Sequence, residues 1–298
     1  MALTSLVNIL VPVGLVFIMM VVGSQLTLAD LKRAVGALSL IAAALASQWL
    51  MLPLVTVALI LWMSPPPVVA VGMALVAVSP IASLSNFYVM LARGNLGLAV
   101  ALTALSSVLA LAAAPMSLVL LSSLLPEHAL GVEIPAGSVL LQSLLTLVLP
   151  LAAGIAIRFH ASEWVARWSA WLQRLSLITV VLVVGLIFAT QVLSMPTAIL
   201  IALVQLALLF TIILTIAGAL TVRLFAIRFP EMVAASAGFP ARNLGFATLL
   251  AVQVAGRAEF AAFAAVFFVV QLLVLLPLAL TLRRLAAITQ SLRHERPS

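Results

Sequence analysis

Long apolar runs, each closed by a charge or by a Pro/Gly turn, set the rhythm of this chain. At ~1.5 Å per residue a helix needs about 20 apolar residues to cross a hydrocarbon core of ~30 Å. Nine runs reach that length: 5–24, 35–61, 68–91, 96–125, 136–157, 173–194, 197–222, 232–255 and 260–282. The expected fold is therefore an all-α membrane protein with about nine transmembrane helices. One membrane domain covers residues 1–284, its first half about 1–125 and its second about 136–284, and a cytoplasmic tail follows at 285–298. The first run, Leu6 to Val22, lacks the basic stretch of a secretory signal and is long enough to span, so it reads as a retained helix.

Two runs are interrupted from within. Ser79-Pro80-Ile81-Ala82-Ser83-Leu84-Ser85-Asn86 breaks the third, and Gly238-Phe239-Pro240-Ala241-Arg242-Asn243-Leu244-Gly245 breaks the eighth. Proline removes a backbone donor and clashes with the preceding turn, so both helices should kink or unwind at Pro80 and Pro240. The two runs lie five apart and so cross in opposite directions. Interrupted helices at matching places in two oppositely oriented halves point to a secondary transporter built from inverted repeats, although plain proline kinks are common in membrane helices. An unwound turn leaves backbone groups without partners, so each break must face protein or a wet cavity. Asn86 and Asn243 can brace the two breaks against each other or touch a ligand there.

Composition removes the soluble alternatives: 66% of residues are hydrophobic and 7% are charged, against roughly 25% charged in soluble domains. The net charge of +7 does not indicate nucleic acid, because Lys and Arg stand singly between apolar runs and form no basic patch with aromatics. Their distribution orients the chain instead. With the N-terminus outside, cytoplasmic segments hold twelve of the 14 basic residues, among them Lys32, Arg33, Arg93, Arg158, Arg167, Arg174, Arg223, Arg228, Arg283 and Arg284, while the outer side holds only Arg257. The acids Asp30, Glu163, Glu231 and Glu295 fall inside, and Glu127, Glu133 and Glu259 outside. Trp164, Trp168 and Trp171 flank Arg167 and Arg174 as an interfacial anchor.

The basic residue left over, Arg242, is the one charge expected within the membrane. A guanidinium costs about 2.5–3.5 kcal/mol at mid-membrane on insertion scales and needs an acceptor. No carboxylate falls inside a span, so the acceptors are carbonyls and polar side chains such as Gln48, Ser85 and Thr103, or the negative charge of a substrate. A structural Arg and a fixed cation at a transport site both meet this requirement. There is no cysteine, and His128, His160 and His294 have no metal-ligand spacing, so no metal and no cofactor are expected. Paired acids and a nucleophile with its base are missing from the spans, which argues against an enzyme. Ser106, Ser107, Ser117, Gln142, Gln191 and Gln205 read as contacts between helices.

The stretch Ser85-Asn86-Phe87-Tyr88-Val89-Met90-Leu91-Ala92-Arg93-Gly94-Asn95, followed by Thr103, resembles the bile acid:sodium symporter family. Gly23 to Lys32 is similar to that family's first cytoplasmic turn, Gln48 to Pro53 to its Gln-x4-Pro helix, and Asn243 with Gly245 to its second break. The resemblance implies a core domain and a panel domain, inverted repeats, and two broken helices crossing beside sodium sites. It also implies that the chain begins one helix later than ten-helix bacterial members. Residues matching sodium ligands stand at Gln48, Ser85, Asn86 and Thr103, but the family's second break reads Glu-x-x-x-Gln-Asn. Here the Glu position is Gly238, the Gln position is Arg242, and a further hydroxyl position is Ala99. These sodium sites are therefore degenerate and sodium coupling is not expected. The expected protein is a carrier of small organic anions such as bile-acid-like carboxylates or sulfonates, in a bacterial inner membrane, with a cytoplasmic C-terminus. Gln48, Pro80, Ser85, Asn86, Thr103, Pro240, Arg242, Asn243 and Gln271 form its candidate crossing and substrate site. A coupled symporter and a non-transporting receptor or channel are the alternatives.

Overall fold

The computed structural model describes residues 2–27, 38–125, 134–224 and 228–294. Asp30, Lys32, Arg33, Glu127, His128, Glu133, Glu295 and Arg296, which carry part of the charge argument, lie outside the described residues. The first half comprises α1 (Ala2–Gln25), α2 (Leu38–Met63), α3 (Pro67–Ala77), α4 (Leu84–Leu91) and α5 (Leu96–Leu124). The second comprises α6 (Ala136–His160), α7 (Ser162–Val192), α8 (Thr197–Arg223), α9 (Phe229–Ala237), α10 (Leu244–Val254) and α11 (Ala261–His294).

Among the described residues six helices are long and apolar enough to cross a membrane, and shorter apolar helices lie at Ile9–Gln25, Pro67–Ala77 and Leu244–Val254. Two boundaries differ from the sequence reading. Helix α7 begins at Ser162, well before the apolar run at 173, because Glu163 to Leu172 holds no proline or glycine to end it. Helix α11 continues to His294, so the segment read as a tail is helical over most of its length.

The helices pack as two groups. Helix α1 lies against α6 and α7. It meets α6 where a Cβ at Gly23 would stand 2.1 Å from the Leu151 carbonyl oxygen and one at Gly154 would stand 2.0 Å from that of Met20, so only two glycines permit this approach. The other group centres on α8 and α11, with α2, α3, α4, α9 and α10 around them, and α5 packs between α6 on one side and α2, α4 and α9 on the other. Phe263 and Phe267 of α11 stack with centroids 6.1 Å apart, and Phe210 of α8 packs on Phe267 at 5.7 Å. Both broken helices belong to this second group, and α1 and α7 close one side of it.

Candidate functional site

The two breaks meet back to back. Helix α3 stops at Ala77 and α4 starts at Leu84; α9 stops at Ala237 and α10 starts at Leu244. Pro80 and Pro240 sit inside the unwound segments, which run antiparallel and form a bridge between Ile81 and Arg242. The Ala82 N–H donates to the Ala241 carbonyl at 2.9 Å, and the Asn243 N–H to the Pro80 carbonyl at 2.8 Å. The Ile81 N–H is taken by the Ser106 hydroxyl of α5 at 3.1 Å. Donors that helix propagation would have satisfied are thus paired across the crossing, as burial away from water demands.

Arg242 ties the crossing to a third helix. It is 1% exposed. Its Nη1 donates to the Gln48 Oε1 of α2 and to the Gly238 carbonyl, each at 3.1 Å, and its Nη2 donates to the Ser79 carbonyl. One guanidinium therefore gathers an acceptor from each break and one from α2, and its carbon lies 5.8 Å from the centre of the Trp49 ring. The Nε of Arg242 and the Nε2 of Gln48 are buried without partners. At Gly238 a Cβ would lie 2.8 Å from Ile81 Cδ1 and 3.0 Å from Gln48 Nε2, so a side chain there requires these two side-chain ends to shift.

Ser85, Asn86 and Thr103 form a separate cluster. The Thr103 hydroxyl donates to Asn86 Oδ1 at 3.2 Å and to the Ala99 carbonyl at 2.9 Å, and Ser85 Oγ lies 3.4 Å from Thr103 Oγ1. Ser85 also donates to the Ala82 carbonyl at 2.8 Å. Ser85 and Thr103 are therefore not among the acceptors of Arg242, and of the three proposed from sequence only Gln48 is. The expectation that Asn86 and Asn243 reach the opposite break is also corrected. Asn86 turns to Thr103, and Asn243 caps α10 by accepting the Phe246 N–H at 3.1 Å. Backbone groups make the cross-links instead, since extended segments a few residues long already present matched donors and acceptors.

A mostly apolar cleft lies on the α10–α11 side of the crossing. It is lined by Val11, Leu15 and Met19 of α1, Val180, Val184 and Ile187 of α7, Phe268 and Gln271 of α11, and Arg242, Asn243, Gly245 and Thr248 of the second broken helix. Gln271 is fully buried with both Nε2 and Oε1 unpaired. Asn243 Nδ2 has only the Met19 sulfur, at 3.9 Å. Gln48, Ser85, Asn86 and Thr103 do not line this cleft. Pro240 instead borders a second cavity with Tyr88, Thr215 and Ser236. Ser79 and Trp49 were missed from sequence, although Ser79 directly precedes Pro80 and Trp49 directly follows Gln48.

Paired unwound helices bonded to each other inside an all-helical bundle place this chain among membrane proteins of the broken-helix class that includes secondary transporters. The chain belongs to the Sodium Bile acid symporter family, which it matches over residues 12–198. It is a multi-pass integral membrane protein, and the family is one of transporters, not of enzymes. Its relatives include the uncharacterized sodium-dependent transporter YocS of Bacillus subtilis, 29% identical over 139 residues, which are 47% of this chain and 41% of that protein. A probable sodium/metabolite cotransporter, BASS1 of the Arabidopsis thaliana chloroplast, is 30% identical over 173 residues, 58% of this chain and 42% of that protein. Human sodium/bile acid cotransporter 4 is 29% identical over 175 residues, 57% and 39%. The matches thus span about two-fifths of each of these relatives. The family match ends before the second break, so the changes at Gly238 and Arg242 fall beyond it.

Proposed function

We propose that this chain carries small organic anions across a bacterial inner membrane by alternating access, with Arg242 standing where relatives hold a sodium ion, so that transport does not require sodium. The observation that carries the reading is the guanidinium itself: a permanent cation bound by the Ser79 and Gly238 carbonyls and Gln48 Oε1, with no carboxylate at the crossing. A sodium ion ~4 Å away would be repelled by about 4 kcal/mol at an effective dielectric of ~20, with no acid to offset it. The relatives are named as sodium-dependent or sodium-coupled, so sodium dependence is the property in which this chain is expected to differ. A proton is an unsuitable substitute, because among the described residues no carboxylate or imidazole is buried at the site.

An organic anion suits the cleft: its mostly apolar lining takes a hydrocarbon body, and Arg242, Asn243 and Gln271 are the cation and the amides among the residues that line it. The α1, α6 and α7 group moving against the other helices would open the cleft alternately to each side, with the N-terminus outside and the C-terminus in the cytoplasm as the charges favour. Counterflow of labelled carboxylates and sulfonates in proteoliposomes, with sodium and with choline in its place, tests the reading. Equal counterflow in both supports it; uptake that needs sodium refutes the coupling, and binding without counterflow indicates a receptor. In a second reading Arg242 pairs with the substrate's own anion, which its unpartnered Nε and its place in the lining of the cleft favour.

A further inference from the structure

The half of α7 that the charge distribution assigns to the cytoplasmic side carries chemistry that the crossing does not use. Helix α7 has 31 residues, about 46 Å at ~1.5 Å per residue, against a hydrocarbon core of ~30 Å. The excess of ~10 residues falls at its polar end, which holds Glu163, Arg167 and Arg174, and not at its apolar end. Val165 is 1% exposed and fixes the rotation of that end. Trp164, Trp168 and Trp171, spaced i, i+4 and i+7, consequently face outward as one stripe, 50%, 44% and 56% exposed. Arg167 and Arg174, two turns apart, run along the flank of the stripe and are exposed. The Arg174 guanidinium lies over the Trp171 ring, 5.4 Å from its centre, which holds it beside the stripe. Arg158 lies in the last turn of the preceding helix, so among the described residues of α6 and α7 three guanidinium groups stand at this end with Glu163 as the one carboxylate.

We propose that this face binds the headgroup of an anionic phospholipid. Arg167 and Arg174 donate to phosphate oxygens, a geometry guanidinium groups match in pairs, and the three indoles occupy the glycerol and upper acyl region beside them. A lipid is the fitting occupant because the charge and the aromatic stripe share one outward face at the depth where the helix leaves the hydrocarbon. A soluble anion would meet only the arginines and gain nothing from the indoles. A basic residue near an anionic membrane surface contributes a factor of about five in affinity, so two arginines predict about a 25-fold preference for an anionic over a zwitterionic lipid.

The test uses the full chain in nonionic detergent with dioleoylphosphatidylglycerol or dioleoylphosphatidylcholine added, read as lipids retained in native mass spectrometry and as the shift in apparent Tm. Phosphatidylglycerol should be retained preferentially and raise the Tm, the Arg167→Gln/Arg174→Gln variant should bind the two lipids alike, and Arg223→Gln, at the exposed end of α8, should keep the preference. Soluble glycerol phosphate should have no effect. Equal retention of both lipids by the unsubstituted protein, a preference that survives the double substitution, or a Tm shift from glycerol phosphate as large as that from the lipid would overturn the proposal. None of these readouts depends on transport or sodium.

Discussion

If the guanidinium of Arg242 holds the crossing together, removing it should destabilise the protein with no ligand present. In Arg242→Ala three buried acceptors lose a charged donor: the Ser79 and Gly238 carbonyls and Gln48 Oε1. Hydrogen bonds to charged groups contribute about 1.5–3 kcal/mol each, about 4.5–9 kcal/mol for the set. Against this, the substitution removes the burial cost of the guanidinium, about 2.5–3.5 kcal/mol on insertion scales. The net loss is of the order of 2–6 kcal/mol, an apparent Tm lower by roughly 4–24 °C at ~2–4 °C per kcal/mol. Intrinsic tryptophan fluorescence during heating reports it, with no added dye. Arg242→Lys keeps the charge but not the planar fork that serves acceptors on three segments, so it should lose about one bond, ~1.5–3 kcal/mol, and fall between the two. An Arg242→Ala protein within about 2 °C of the unsubstituted Tm, with anion affinity alone collapsed, would refute the bracing role and favour a direct substrate contact.

Three further outcomes are expected. Gln271→Leu removes an amide buried without partners, a burden of ~1–3 kcal/mol, so the apparent Tm of the empty protein should rise by a few degrees while affinity for anions falls in a filter-binding assay. Gly23→Ala places a Cβ 2.1 Å from the Leu151 carbonyl oxygen, and because that atom is backbone α1 must move away from α6. A loss of ~2 kcal/mol or more is expected, and an unchanged Tm would show that this contact is looser than it looks. Gly238→Glu combined with Arg242→Gln restores the acid and amide of the family pattern; the new side chain displaces the flexible end of Ile81, and sodium should then stabilise the fold by ~2.7 kcal/mol at a hundredfold excess over Kd, read as a higher apparent Tm. The unsubstituted protein should show no such shift when sodium replaces choline.

What the sequence made legible was whatever follows from one residue's covalent chemistry. Pro80 and Pro240 each remove a backbone donor within a polar or glycine-containing stretch, and the chain unwinds around both, whereas Pro12, Pro53, Pro115 and Pro277 lie inside continuous helices. Arg242 cannot shed its charge, so its need for acceptors was readable before their identity was. The choice among acceptors was not, because Gln48 lies 194 positions away and Ser79 contributes a backbone carbonyl that any residue would have supplied. The same limit explains the two asparagines. Each has donors and acceptors enough to reach across the crossing, yet Asn243 finds the nearer Phe246 N–H at the start of α10, a local bond that costs less ordering than a remote one. Helix α7 shows the reverse error: cutting runs at charges placed its start at the membrane boundary, whereas the helix itself is indifferent to charge and ends where capping and turn residues end it.

A fixed cation changes what a carrier of this kind can do as well as what it binds. In an ion-coupled carrier the crossing gains its positive charge from outside, so the ion's gradient biases which conformation is occupied, by an amount equal to the ion's differential affinity for the two states. Arg242 gives the crossing the same charge in every conformation and at every sodium concentration. On the proposed reading its bonds to Ser79, Gly238 and Gln48 brace the crossing itself, so they contribute equally to outward and inward states unless α2 moves relative to the breaks. An interaction of equal strength in both states shifts neither. The substrate's own gradient is then the one driving force left, and net flux should vanish when inner and outer substrate concentrations are electrochemically balanced, whatever sodium gradient is imposed. On that reading the arrangement fits exchange or uniport and leaves no accumulation driven by sodium, so a guanidinium in the ion's place would also remove the ion's work from the cycle.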